Sequence, residues 1–408
     1  MRKKIFCLFW FALFLPFCLF AQYFHTPWLL VPYTSNAPEI VSRSAVLIDV
    51  ETGALLYSKA PDEEIPPASL AKLMTLHLLM KEIEAGRASY DEIIPVTVAS
   101  WAQSQPPRSS LMFLAPGQIV TLREIMLGLA VPSGNDAAVA AALWLAPTMQ
   151  DFANLMNAEA RRMGLNVTRF VESSGYSEEN MTTAEEYAYF CRQYLELHPQ
   201  STRDFHSVNV FAYPMANNIQ ENSRRNPRTI VQYNHNSLLR TFPGVDGLKT
   251  GYIDESGYNI ALTAERDHTR FIAVILGAPA RPGGDRIRAA DSTRLLSWAF
   301  ENFKTVRPVI GQIENARLWK GRENSVQLAL AESADFTSAK ARGETLFFET
   351  VILAPLVAPL PAGFHAGYLV ISDEYGELNR VPLVTAAAYE RGNIFKRIWH
   401  SILLLFKK

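Results

Sequence analysis

Ser69 and Lys72 stand three residues apart in the run IPPASLAKLMT, residues 65 to 75, directly behind Pro66 and Pro67. Two prolines suit an extended lead-in or a first helical position, and from Ala68 onward the run is built of good helix formers. An i, i+3 spacing puts the hydroxyl and the amine on one helical face. A serine is a weak nucleophile until a base takes its proton, and a neutral amine at that spacing is such a base. A capping serine followed by a surface lysine fits the same letters. S-x-x-K alone occurs on the order of once in any chain this long.

Two further runs bear on the choice. VPSGND places Ser133, Gly134 and Asn135 in a loop between two helical patterns, and VDGLKTGYID places Lys249, Thr250 and Gly251 on a β-prone run. Each tripeptide arises by chance in fewer than about one chain in ten. Taken singly they read as a plain turn and a bulge. The second motif follows the first by about sixty residues and the third follows the second by over a hundred. That joint occurrence, in that order, is much more specific than any one of them.

In the segments PPASLAKLMT, VPSGNDAAVA and GVDGLKTGYIDESGYN the chain resembles the serine-type D-alanyl-D-alanine carboxypeptidases, the low-molecular-weight penicillin-binding proteins. The resemblance implies an α+β fold. A transpeptidase/β-lactamase-like catalytic domain, an antiparallel sheet flanked by helices, precedes a small all-β domain and a C-terminal amphipathic helix. It implies removal of the terminal D-alanine from peptidoglycan stem peptides through an acyl-enzyme on Ser69, which β-lactams also acylate. Lys72 would be the base and Ser133 would relay a proton to the leaving D-alanine. Asn135 would bind the substrate amide, and Lys249 with Thr250 would hold the terminal carboxylate. The backbone N–H groups of Ser69 and Tyr252 would form the oxyanion hole. No metal or cofactor is implied.

Two expectations concern the chemistry of that set. Lys72 acts as a base only when neutral; burial and a nearby like charge both lower a lysine pKa, and the charge of Lys249 is expected to help. Gly251, lacking a side chain, is expected to let a substrate lie close along the strand. His235 in QYNHNSLL and the segment FVESSGYSEEN around Glu172 depart from the family pattern; the role of His235 is left open, a structural one being favoured over a catalytic one. The alternatives of the same fold are a D-Ala endopeptidase and a β-lactamase. E-S-S-G-Y at Glu172 is not the E-x-x-L-N of a deacylating glutamate. An inactive, membrane-bound peptidoglycan-binding scaffold is the alternative of a different class.

The elements that must position these residues are legible as well. SAVLIDVETGALLYSKAPDE reads as a hairpin around Glu51-Thr52-Gly53, and three short β-prone runs follow residue 245. Helical patterns lie between, one of them opened by the capping box of Thr121 and Glu124. Strands at both ends with helices between predict one α+β domain over residues 41–304, its sheet formed from the terminal segments. After Pro308 the runs VQLAL, TLFFETVIL, YLVIS and VPLVT predict an all-β domain over 308–386.

The chain has 408 residues, 49% of them hydrophobic, enough for two cored domains. A formal charge of −1 argues against a nucleic-acid surface, and three cysteines, two of them within the first twenty residues, leave no pair for a metal site or an internal disulfide beyond them. MRKK followed by an uncharged apolar run reads as an export signal over residues 1–21, with a lead-in over 22–40. The enzyme is therefore expected outside the cytoplasm, at the outer face of the cytoplasmic membrane. On a helical wheel the tail, residues 391–408, separates Ile, Leu, Phe and Trp from Lys, Arg and His, the pattern of a helix lying in a membrane surface. The same helix packed on the β domain is the competing reading.

Overall fold

The computed structural model describes residues 35–219 and 228–406. The expected export signal and the lead-in up to residue 34 lie outside the described residues. The largest sheet among them has five strands: β1 (Ser44–Asp49), β2 (Leu55–Lys59), β3 (Val245–Ile253), β4 (Gly257–Arg266) and β5 (Thr269–Ala278), in the order β2-β1-β5-β4-β3. All contacts in it are antiparallel. The first strand of the chain thus lies between its own hairpin partner and a strand more than two hundred residues later.

Every residue of β1 is buried, because both faces of the sheet are covered. Side chains alternate along a strand, so Val46 and Ile48 enter one core while Ala45 and Leu47 enter the other. The first core is closed by α1 (Lys72–Glu84), α2 (Leu122–Ala130), α3 (Asn135–Leu145), α4 (Met149–Arg162) and α5 (Ala184–Leu197). The second is closed by α6 (Gly284–Asn302), through Leu295, Leu296 and Ala299. The capping box of Thr121 and Glu124 forms at the start of α2 as its letters predict.

Helix α1 is buried nearly all round, so its polar residues need partners. His77 finds them in His198 at 2.7 Å and Glu159 at 2.8 Å, which tie α1 to α5 and α4. A short 3-10 turn, Ala68–Ala71, leads into α1.

A third core lies under the strands Leu328–Leu330, Gly376–Thr385, His365–Asp373 and Phe347–Ile352, which form one sheet in that order. Phe303–Val306, immediately after α6, pairs with Phe336–Ala339. Asp49 bridges this pair to β1: its carboxylate accepts from the Thr305 hydroxyl at 2.8 Å, the Thr337 hydroxyl at 2.9 Å and the Glu51 N–H at 2.9 Å.

The tail forms α7 (Ile394–Leu405) and packs by its polar side. Lys396 donates to the carbonyls of Arg322 and Glu323, and His400 Nδ1 accepts from the Lys320 N–H at 2.8 Å. Ile394, Phe395, Ile398, Trp399, Leu405 and Phe406 stay exposed, Phe395 by 81%. The helix does lie against the β strands, but with its apolar face outward. No helix among the described residues is long and apolar enough to cross a membrane.

Asp49 is buried and also accepts from the Thr52 N–H at 3.4 Å, so Asp49→Ala removes the acceptor of the Thr305 hydroxyl and of the turn N–H groups and leaves the Thr337 hydroxyl only its contact with Thr52. The substitution is expected to lower the free energy of unfolding by about 2–3 kcal/mol. Urea unfolding measures it, and a loss below roughly 0.5 kcal/mol would show that the bridge contributes nothing.

Candidate active site

The site begins with a residue that has no exposed surface. Lys72, the first residue of α1, is 0% accessible. Its Nζ lies 2.8 Å from Ser69 Oγ, 2.8 Å from Asn135 Oδ1 and 2.6 Å from the Ser174 carbonyl. The i, i+3 spacing of Ser69 and Lys72 therefore brings hydroxyl and amine into direct contact. Ser69 itself is half-buried and lines a cleft of about 440 Å³ together with Asn135, Gly175 and Tyr252.

Asn135 opens α3, so its side chain is placed by the helix start. Its amide nitrogen donates to Ser109 Oγ at 3.0 Å, which leaves Oδ1 for Lys72. Asp136, next in sequence, is buried and accepts from the Met112 and Leu114 N–H groups at 2.8 and 2.9 Å. It fastens the 109–114 segment beside the cleft. Ser133 precedes the helix with φ of +62°, a left-handed backbone that non-glycine residues enter only under constraint. Its hydroxyl accepts from Lys249 Nζ at 2.8 Å.

Lys249, Thr250 and Gly251 sit in the middle of β3, at the edge of the sheet. Lys249 also donates to the Thr250 carbonyl at 3.0 Å. Thr250 is nearly buried. Tyr252 is 41% exposed and its hydroxyl donates to Asp254 at 2.6 Å. The Asp254 carboxylate also meets Arg108 at 2.9 Å.

β3 approaches the 3-10 turn very closely. A Cβ on Gly251 would lie 2.8 Å from the Pro67 carbonyl and 3.0 Å from the Ser69 nitrogen. Strand-on-turn packing thus gives Gly251 a reason to be glycine that its sequence reading did not include. The close approach brings the Ser69 N–H beside the strand that carries Tyr252. On the other side Gly175, at φ +78°, presses on the same turn, and a Cβ there would lie 1.8 Å from the Ala68 carbonyl.

The electrostatics follow from enclosure. Burial pushes the Lys72 pKa down to about 7, while the negative charges of Glu172 and then Asp136 pull it up. Lys249 is pushed well below the ordinary lysine value by burial and then by the Lys72 and Arg288 charges. Of the two causes expected for Lys72, burial leads, because enclosure by the helices and loops of the first core disfavours an ammonium. Loss of ring hydration, with Lys249 and Arg288 near, pushes His235 down to about 4, so it is neutral at pH 7 although part of the residue is exposed. It makes no hydrogen bond to the motif residues.

Three motifs far apart in sequence thus meet: the first reaches the second through Lys72 and Asn135, and the second reaches the third through Ser133 and Lys249. The arrangement holds a serine, a base titrating near neutrality, and a second hydroxyl–amine pair, which is the equipment for acyl transfer through a covalent intermediate. Sequence reasoning did not find Ser174, whose contribution is a carbonyl and so leaves no mark in its side chain. Nor did it find Asp136, although a carboxylate directly after S-G-N was there to be read.

Comparison with known proteins accords with this geometry. The family described as D-alanyl-D-alanine carboxypeptidase matches residues 32–280. The D-alanyl-D-alanine carboxypeptidase DacC of Escherichia coli is 30% identical over 380 residues, 91% of this chain and 90% of that protein. Penicillin binding protein 5 from Haemophilus influenzae superposes with a TM-score of 0.78 at 26% identity, covering 88% of this chain and 100% of that one. Penicillin-Binding Protein D2 from Listeria monocytogenes in its ampicillin-bound form superposes with a TM-score of 0.54 at 25% identity, covering 64% of this chain and 100% of that one.

Gly175→Ala is expected to cost about 1–3 kcal/mol from its left-handed backbone alone, and more from the collision with Ala68. Chemical denaturation reads the loss, and a variant as stable as the parent would show that the turn can retreat.

Proposed function

The chain belongs to the D-alanyl-D-alanine carboxypeptidase family, and from that premise we propose the reaction and the part each residue takes in it. The protein is a serine-type D-Ala-D-Ala carboxypeptidase. Its substrates are peptidoglycan stem peptides that end in D-Ala-D-Ala, and β-lactams acylate the same serine.

The observation that carries the mechanism is the contact of Ser69 Oγ with a fully buried amine at 2.8 Å. Neutral Lys72 takes the Ser69 proton as Oγ attacks the carbonyl carbon of the penultimate D-alanine. The negative charge that forms on the carbonyl oxygen is met by the N–H groups of Ser69 and Tyr252. Ser133, in contact with Lys249, passes a proton to the leaving D-alanine nitrogen as the peptide bond breaks. Asn135 binds the substrate's peptide amide, and Lys249 with Thr250 receives its terminal carboxylate. Water then cleaves the Ser69 ester and restores the enzyme.

One observation bears on the β-lactamase alternative. Glu172 has both carboxylate oxygens engaged by loop donors, among them the N–H groups of Ser174 and Gly175 at 2.6 and 2.7 Å. A carboxylate so engaged is not free to activate a deacylating water.

The basic start and apolar run of the chain support export across the cytoplasmic membrane. The outward apolar face of α7 supports peripheral attachment to the outer surface of that membrane.

Three outcomes test this reading. The parent releases D-alanine from a peptide ending in Lys-D-Ala-D-Ala and Ser69→Ala does not; release by the variant would remove Ser69 from the mechanism. The rate of Ser69 acylation rises with pH through about 7, because the amine is a base only after it loses its proton; a rate flat across that range would remove Lys72 as the base. Protein lacking residues 393–408 stays in the supernatant when sedimented with anionic vesicles, whereas the parent pellets; equal pelleting would refute the attachment by α7.

A further inference from the structure

The three partners of Lys72 are not equivalent. A neutral amine has two protons and one lone pair. For the lone pair to face Ser69 Oγ, both protons must go to the other two partners, Asn135 Oδ1 and the Ser174 carbonyl. Both can only accept. Asn135 is fixed by α3 and by Ser109. The Ser174 carbonyl belongs to a loop with no regular structure, so something else must hold it.

That something is Glu172. Its Oε2 accepts from the Ser174 N–H and the Ser174 hydroxyl, both at 2.6 Å. Its Oε1 accepts from the Gly175 N–H at 2.7 Å and from Asn180 Nδ2 at 2.8 Å. Asn180 in turn accepts from the Val171 N–H at 2.9 Å, which closes the loop on itself. The same loop is fastened to α1 one turn further on, where the Thr75 hydroxyl donates to the Ser173 carbonyl at 2.8 Å. Gly175 then packs against the Ala68 carbonyl. One side chain therefore folds the segment that both bears on the Ser69 turn and supplies an acceptor to the base.

We propose that Glu172 is a positioning residue for the Lys72 base: by folding residues 172–177 it aims the Ser174 carbonyl at the amine and so turns the lone pair toward Ser69. The assignment rests on the reading of Lys72 as the base. Glu172 does not line the cleft and makes no hydrogen bond to Ser69; it positions the amine through the Ser174–Gly175 segment that it folds. Its charge has a second effect, since a nearby carboxylate favours the ammonium and raises the Lys72 pKa. The other charged or titratable groups in this field are Asp136 from α3, Lys249 from β3, Arg288 from α6 and the neutral His235.

The two effects separate experimentally. The second-order rate of acylation by a fluorescent penicillin is measured from about pH 5 to 9 for the parent, Glu172→Gln and Glu172→Asp, each normalised to the fraction of molecules that can be acylated. Glu172→Gln keeps one acceptor oxygen and loses the charge. Its plateau is expected to fall by about tenfold or more, and the midpoint of its acid limb to move to lower pH by about half a unit or more. Glu172→Asp keeps the charge on a shorter arm, so its plateau falls and its midpoint stays near the parent's. A residue needed only for folding would lower the acylable fraction and leave rate and midpoint per acylable molecule unchanged, and that result overturns the proposal. Should the glutamine variant fail to fold, a parental plateau in Glu172→Asp overturns it equally. A parent that penicillin does not acylate would instead overturn the function on which the proposal rests.

Discussion

The amine of Lys72 has been taken wholly out of water, and the rest of the site is arranged around that fact. An ammonium without water is costly unless every proton finds an acceptor. Lys72 has three acceptors for its protons. It has no solvent, which lowers its pKa, while the charges of Glu172 and Asp136 raise it. The balance leaves the group at about 7, where either protonation state is cheap to reach. A base that must take a proton and return it within one reaction cycle needs that balance. The acceptors come from three separate pieces of chain, which explains why a turn, a helix start and a loop all converge on one nitrogen.

Convergence of this kind requires that the Ser69 turn be gripped. β3 reaches it from one side through Gly251 and the loop after Glu172 from the other through Gly175. Neither approach leaves room for a methyl group. Between them Ala68 adopts φ of +52°, and Ser133 across the site adopts +62°. Left-handed backbone at non-glycine residues costs about 1–3 kcal/mol each and persists only where surrounding contacts overdetermine it. Here the strain fixes where two hydroxyls point, and an acyl transfer gains more from fixed hydroxyls than from mobile ones.

Much of this was legible in the sequence, for a physical reason. Ser69, Lys72, Ser133, Asn135 and Lys249 meet in one place, and the chemistry proposed for them needs side chains that few other residues can replace, so their types and order carry information. The capping box of α2 and the alternating strand runs are legible for the same reason: each is a local preference that the fold does not override. What was not legible acts through backbone or through enclosure. The Ser174 carbonyl would be present with any side chain. The depressed pKa of Lys72 comes first from burial among helices that are distant in sequence, so its extent is set by the fold and not by neighbouring letters. The pairing of Phe303–Val306 with Phe336–Ala339 was missed because each run is only four residues long and the first continues directly from α6.

The tail presents the opposite problem, a helix whose local pattern is clear and whose packing is reversed. An amphipathic helix on a water-soluble protein normally turns its apolar stripe inward, since each Å² of apolar surface removed from water contributes about 25 cal/mol. α7 instead offers its polar side to the β strands, through Lys396 and His400, and leaves Phe395, Trp399 and Phe406 in solvent. A few hydrogen bonds to backbone groups cannot outweigh that exposure in water, because each adds only about 1 kcal/mol net. The proposed attachment would resolve this imbalance: a lipid surface would meet the apolar face while Lys396 and His400 keep their backbone contacts at residues 320–323. The strands in turn are tied to the five-stranded sheet through Asp49. Under the attachment proposed above, the position of the Ser69 cleft relative to the bilayer would be set by protein packing, and α7 would orient the catalytic sheet as well as retain it.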